Sequence, residues 1–105
     1  MKFIETHIFT ESLVRYLTDE EYLALQVSLL LRPSQGKVIP GTGGLRKLRF
    51  GTGIKGKRGG LRIIYYWHGK EETIYFLQVY TKSSSSDLSP DQIRILARLV
   101  REELK

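Results

Sequence analysis

Cysteine is absent from this sequence, which removes disulfide frameworks, thiolate nucleophiles and cysteine-based metal sites, and suits a reducing compartment such as the cytoplasm. Histidine occurs only at His7 and His68, about sixty positions apart, so a zinc site is not expected and each is read as an ordinary strand or turn residue. No window approaches the ~18 apolar residues of a membrane span. An acid and a histidine, Glu5 and His7, stand where a signal peptide needs apolar residues. A soluble protein with no membrane association is expected. The most local absence is of acid: from Tyr22 to Lys70 there are ten Lys or Arg and no Asp or Glu. That run supplies no carboxylate pair for glycoside or magnesium chemistry, and nothing in it neutralises the charge.

What is present is basic and aromatic. Seventeen Lys and Arg against eleven Asp and Glu leave a net charge of +6, so a polyanion is the natural partner. The 105 residues allow one domain, 1–105, with a single core and no need of metal or disulfide staples.

The residue pattern predicts an α+β domain in the order strand, two helices, three or four antiparallel strands, helix. Phe3 to Phe9 reads as a first strand. Thr10 is placed to cap a short helix over Glu11 to Leu17, and Thr18-Asp19-Glu20-Glu21 is a capping box opening a second helix toward Leu31. In that helix Tyr22, Leu25, Gln26 and Leu29 share a face, with Leu23 and Leu30 beside them. Pro33 and Gly36 end it. Lys37 to Pro40 is a short extended piece. Gly41-Thr42-Gly43-Gly44 lacks the Lys-Ser/Thr ending of a P-loop and is read as a mobile turn. Leu45 to Phe50, Leu61 to His68 and Thr73 to Lys82 are the remaining strands, with a basic, glycine-rich loop at 51–60 and a hairpin turn at 69–72. Ser89, Pro90, Asp91 and Gln92 open a last helix with an apolar stripe of Ile93, Leu96, Ala97, Val100 and Leu104.

Alternation puts Leu48 and Phe50 on one side of their strand and Lys47 and Arg49 on the other. Arg62 interrupts an otherwise apolar strand and shares a side with Tyr66. An arginine there is costly unless it is paired or opens on a groove. Lys82 shares a side with Gln78 and Tyr80 and approaches Arg62 if the hairpin register permits. Lys and Arg interleaved with Tyr65, Tyr66, Trp67 and Tyr80 suit RNA or DNA, with stacking on any ring that faces outward. Such a cluster can cleave RNA without metal. The ribose 2′-hydroxyl attacks the adjacent phosphate, arginine and lysine neutralise the phosphoryl oxygens, and a crowded lysine moves a proton. A solvated binding face is the alternative. Arg94, Arg98, Arg101 and Lys105 form a second basic stripe, which dipole complementation also explains.

The segments Gly41 to Arg49, Gly56 to Tyr66, Tyr80-Thr81-Lys82 and Asp87-Leu88 resemble toxins of the HigB branch of the RelE/ParE superfamily, over nearly the whole chain. The resemblance implies a RelE-like fold and a small bacterial cytoplasmic toxin of a type II toxin–antitoxin pair, monomeric when free. The expected activity is that of a ribosome-dependent endoribonuclease, an mRNA interferase, that cuts mRNA in the ribosomal A site without metal or cofactor. Its expected partner is an antitoxin of the helix-turn-helix, HigA-like kind. The implied catalytic set is Arg62, Lys57, Lys55 and Lys82, with Lys47, Arg49, Arg58, Tyr66 and Tyr80 on the RNA. Proton-transfer and phosphate-binding roles among the basic residues are not apportioned. Better-studied RelE-like members carry a further arginine after the last strand and a tyrosine near the C-terminus. Here four serines follow Lys82 and the last helix has no tyrosine, which leaves Lys82 or Tyr80 as substitutes. Gyrase-directed ParE-type toxins and non-catalytic nucleic-acid-binding domains are the alternative readings.

Overall fold

The computed structural model describes residues 1–51, 60–81 and 88–104. Its elements run β1 Lys2–Glu5, α1 His7–Tyr16, α2 Asp19–Leu31, β2 Lys37–Val38, β3 Leu45–Phe50, β4 Leu61–His68, β5 Thr73–Thr81 and α3 Pro90–Leu99, which ends in a π-helical turn, Val100–Leu104. One five-stranded sheet has the order β1-β5-β4-β3-β2. β1 pairs parallel to β5, and every other pairing is antiparallel. The α1–α2 pair carries the chain from one sheet edge to the other, and α3 lies on the opposite face. This is the α+β order expected from sequence.

Two apolar clusters hold the three layers together. Beneath α1 and α2, fully buried Phe9, Leu25 and Leu29 meet Leu61, Ile63, Tyr65, Ile74 and Phe76. Phe9 and Phe76 stack with centroids 4.7 Å apart. Beneath α3, Val100 packs on Leu45, Ile64 and Leu77, with Leu96, Leu99 and Leu104 around it. The sheet accordingly has one face committed to core and one shared between core and a basic end.

The first helix begins earlier than the strand pattern at 3–9 suggests. Thr6, not Thr10, is the N-cap: its hydroxyl accepts from the Phe9 amide at 3.2 Å and donates to the Leu77 carbonyl of β5 at 2.9 Å. Residues 7–9 have β-compatible side chains, but a helix there turns Phe9 inward, and that burial outweighs local propensity. Thr10 instead sends its hydroxyl to the Glu5 carboxylate at 2.7 Å, which also accepts from Tyr22 at 2.7 Å. Burial first, and the Glu5 carboxylate second, hold the Tyr22 phenol well above its ordinary pKa. The capping box at Thr18 and Glu21 forms as expected. Leu23 and Leu30 face solvent, however, at 60% and 51% exposure.

The expected turn at 41–44 is tightly fastened rather than loose. Gly41, Gly43 and Gly44 adopt positive φ, and the fully buried Thr42 donates its hydroxyl to the Ile39 carbonyl at 2.6 Å and accepts from the Leu45 amide at 3.1 Å. A comparable clamp holds the chain before β2. The Tyr65 hydroxyl donates to the Pro33 carbonyl at 2.7 Å and accepts from the Gly36 amide at 2.9 Å.

β5 contains a register shift. Ile64 pairs with Gln78 and Tyr65 with Phe76, so Leu77 is the additional residue. Ahead of it Ile74 and Phe76 face α1 and α2; beyond it Val79 does, and Leu77 and Tyr80 face α3.

Candidate functional site

The strand register assembles a basic row from separate parts of the sequence. Arg49 of β3 stands directly opposite Arg62 of β4, which stands directly opposite Tyr80 of β5. Directly opposed residues share a face with Cβ atoms ~5 Å apart, so the row spans three strands on the α3 side. One step back, Lys37 opposes Lys47, and Lys47 opposes Ile64. Lys47 is therefore ~7 Å from Arg49 along β3. The result is a cationic corner at the end of the sheet where β3 finishes and β4 begins.

Burial differs sharply within the row. Arg49 is exposed, Lys47 is half-buried, and Arg62 retains only 8% exposure. Its guanidinium lies 3.4 Å from the Gly60 carbonyl, a long contact. Like charges directly opposite one another weaken a sheet, and a largely buried arginine costs desolvation. Both costs fall on the Arg49–Arg62 pair, and an anion bound there would lower each of them. Gly60 supports the corner: its φ is +70°, and a Cβ there would fall 2.7 Å from the Phe50 carbonyl oxygen.

Tyr80 is buried at 5% exposure in the cluster under α3, its hydroxyl included, so it offers no ring face for stacking at the row. Tyr66 is on the same face but four residues from Arg62, ~13 Å along the strand. Its ring meets those of Tyr75 and His68 at the border of the cluster under α3, so the structure does not bring it to the arginines. Tyr65 and Trp67 point to the α1–α2 side, with Tyr65 fully buried and its phenol pushed up by that burial. His68 accepts from the Glu71 amide in the hairpin turn, and His7 pairs with Glu11 on the surface of α1, both structural placements. Lys55, Lys57, Arg58, Lys82 and Lys105 lie outside the described residues.

Lys37 was not singled out from sequence. Its signals are membership of the acid-free run and of a short extended piece, but only the β2–β3 register reveals that it stands beside Lys47. An anion laid along β3 meets Lys37 and Lys47 first, then Arg49 and Arg62.

No family model matches the sequence. The structure is similar to that of the free E. coli toxin RelE, solved with two arginines replaced by alanine, at a TM-score of 0.60 and 14% identity over 98% of this chain and 97% of that one. It is also similar to a chain of the intact E. coli RelBE toxin–antitoxin complex, at a TM-score of 0.57 and 15% identity over 76% of this chain and 94% of that one. The chain has the RelE fold.

Proposed function

We propose that this protein is a toxin of the RelE/ParE superfamily, one half of a toxin–antitoxin pair, and that it cleaves mRNA on the ribosome. The observation that carries the reading is the Arg49–Arg62–Tyr80 row, in which a nearly buried arginine is held beside a second cation. The RelE fold, the toxin–antitoxin nature of the similar structures and the HigB-like motifs of the sequence support it.

In this mechanism the RNA backbone runs over Lys37 and Lys47 toward the row. The ribose 2′-oxygen attacks the adjacent phosphorus, a new P–O bond closes a 2′,3′-cyclic phosphate, and the 5′-oxygen of the next nucleotide leaves with a proton. Arg62 and Arg49 stabilise the charge that gathers on the non-bridging oxygens. Tyr80 stands opposite Arg62 with its hydroxyl buried, so it supports the arginine and does not contact the phosphate. The basic residues Lys55, Lys57, Arg58 and Lys82 are assigned to substrate binding and proton transfer on the resemblance alone. An antitoxin, of the HigA-like kind on the same resemblance, silences the activity in the cell.

The test is brief induction in a bacterial host, with transcript ends sequenced for the wild-type protein and Arg62→Ala. New ends inside translated frames with the wild type, lost in the variant, are expected. Growth arrest with gyrase-dependent DNA breaks and no new transcript ends would instead identify a ParE-type toxin. A fully toxic, transcript-cutting Arg62→Ala variant would remove Arg62 from the mechanism.

A further inference from the structure

Lys37 and Lys47, which lead toward the arginine row, also border a groove of about 460 Å³ between β2 and the start of α3. Among the described residues, every other side chain lining it is apolar. Leu88 and Ile93 stand on either side of the Ser89 cap, at the N′ and N4 positions of a hydrophobic staple. Ile93 heads the apolar stripe of α3, yet it is not among the side chains of the cluster beneath that helix, where Leu96, Leu99, Val100 and Leu104 pack. Half-buried, it lines the groove instead. The core therefore does not account for it.

The polar atoms at the groove narrow the choice of ligand. The Ile39 amide donates to the Leu45 carbonyl at 2.8 Å, so the alternation of an antiparallel ladder turns the N–H and C=O of Val38 away from β3, toward the open edge of the sheet. The next residue on that edge is Pro40, which has no N–H. A peptide strand added to so short an edge would find one donor there. A nucleobase needs no more, because it lies flat on apolar side chains and presents both a donor and an acceptor on its Watson–Crick edge. Lys37 and Lys47 stand directly opposite each other in the ladder and suit its phosphate, and no acid lines the groove. A polyanion with no flat apolar part would use the lysines and leave the apolar walls bare. We propose that this groove is a nucleobase subsite, which takes one unstacked base of a single-stranded RNA whose neighbouring phosphate lies on the Arg49–Arg62 row. The inference rests on the RNA reading of the basic corner but not on cleavage.

The test uses the full chain and a short fluorescein-labelled single-stranded RNA, intact or with one abasic nucleotide at each position in turn, with affinity read by anisotropy at low salt. At one position, loss of the base should weaken wild-type binding about fivefold or more. In Ile93→Ala the same loss should cost less than about twofold, because base and side chain are coupled. RNA abasic at that position should bind both proteins alike, and Ile93→Leu should restore the discrimination. Leu88→Ala should act as Ile93→Ala does, so a folding defect in one variant leaves the comparison intact. A wild type that binds intact and abasic RNA equally, or binds neither, would overturn the proposal, as would discrimination unchanged in both alanine variants. So would a labelled peptide of alternating leucine and glutamate that the wild type binds and Ile93→Ala releases while base discrimination persists, which would identify a protein segment as the occupant. Ile93-dependent discrimination in a wild type that cuts no transcripts would uphold this inference and remove the cleavage reading; cutting without such discrimination would do the reverse.

Discussion

Replacing Tyr65 with phenylalanine should cost far more than one hydroxyl on a 105-residue chain suggests. The Tyr65 oxygen sits between two backbone groups of the segment before β2, donating to the Pro33 carbonyl at 2.7 Å and accepting from the Gly36 amide at 2.9 Å. Phenylalanine keeps the ring and its packing but removes both bonds. The Pro33 bond is worth about 1 kcal/mol net. Gly36 is buried, so its amide is left without a partner at a cost of about 1–2 kcal/mol. Water cannot enter without displacing the ring, whose Cε1 would lie only 2.8 Å from a Cβ at Gly36. The sum is about 2–3 kcal/mol, and at ~4–8 °C per kcal/mol for a domain of this size the Tm should fall by about 8–24 °C. Urea and thermal unfolding followed by circular dichroism measure this. Tyr66→Phe is the control, because its hydroxyl makes no hydrogen bond among the described residues, and it should stay within about 0.5 kcal/mol. Equal stabilities for the two variants would refute the clamp. The variant tests function as well, since the same segment leads into Lys37 at the edge of the basic corner.

Two further outcomes follow from particular residues. The phenols of Tyr65 and Tyr22 are raised by burial, so both stay neutral in the folded protein beyond the pH near ~10 at which the unfolded chain ionises. Stability should therefore be complete below that pH and be lost as pH rises through the folded-state values, by up to ~1.4 kcal/mol per unit for Tyr65; urea midpoints measured from pH 8 upward that do not fall would contradict this. Gly60→Ala forces a Cβ to 2.7 Å from the Phe50 carbonyl oxygen at a φ of +70°, and should destabilise by about 1–3 kcal/mol and displace Arg62; an alanine variant with wild-type melting and wild-type transcript cutting would dismiss Gly60 as a support for the row.

Much of the architecture was legible because local signals agreed with the tertiary outcome. β3 and β4 begin and end where alternation and glycines put them, and the capping boxes at Thr18 and Ser89 open α2 and α3 as read. The start of α1 was not legible, because Thr6 is chosen as cap over Thr10 through a hydrogen bond to β5, seventy-one positions away. Leu23 and Leu30 were placed beside the core face of α2, but nothing in the helix's own sequence distinguishes its second apolar side from its first. At the site, alternation separated Lys47 and Arg49 from Leu48 and Phe50 correctly. What a sequence cannot supply is register: that Arg49, Arg62 and Tyr80 share one row, that Lys37 joins Lys47, and that Tyr66 ends up away from both arginines are decided by which strands pair and at which residue.

The additional residue in β5 gives the chemistry an arithmetic dependence. A pleated strand has only two phases, and Leu77 switches β5 from one to the other between Phe76 and Gln78. Whether Tyr80 or Val79 meets Arg62 thus depends on a count of residues in the middle of the sheet, not on the identity of any residue at the corner. Paired without the shift and with Leu77 kept, β5 would deliver Val79 to Arg62 and the Tyr80 phenol to the aliphatic layer, whereas deleting Leu77 would join Phe76 to Gln78 and leave Tyr80 opposite Arg62 in a regular ladder. The corner is therefore set by an irregularity that lies well away from it.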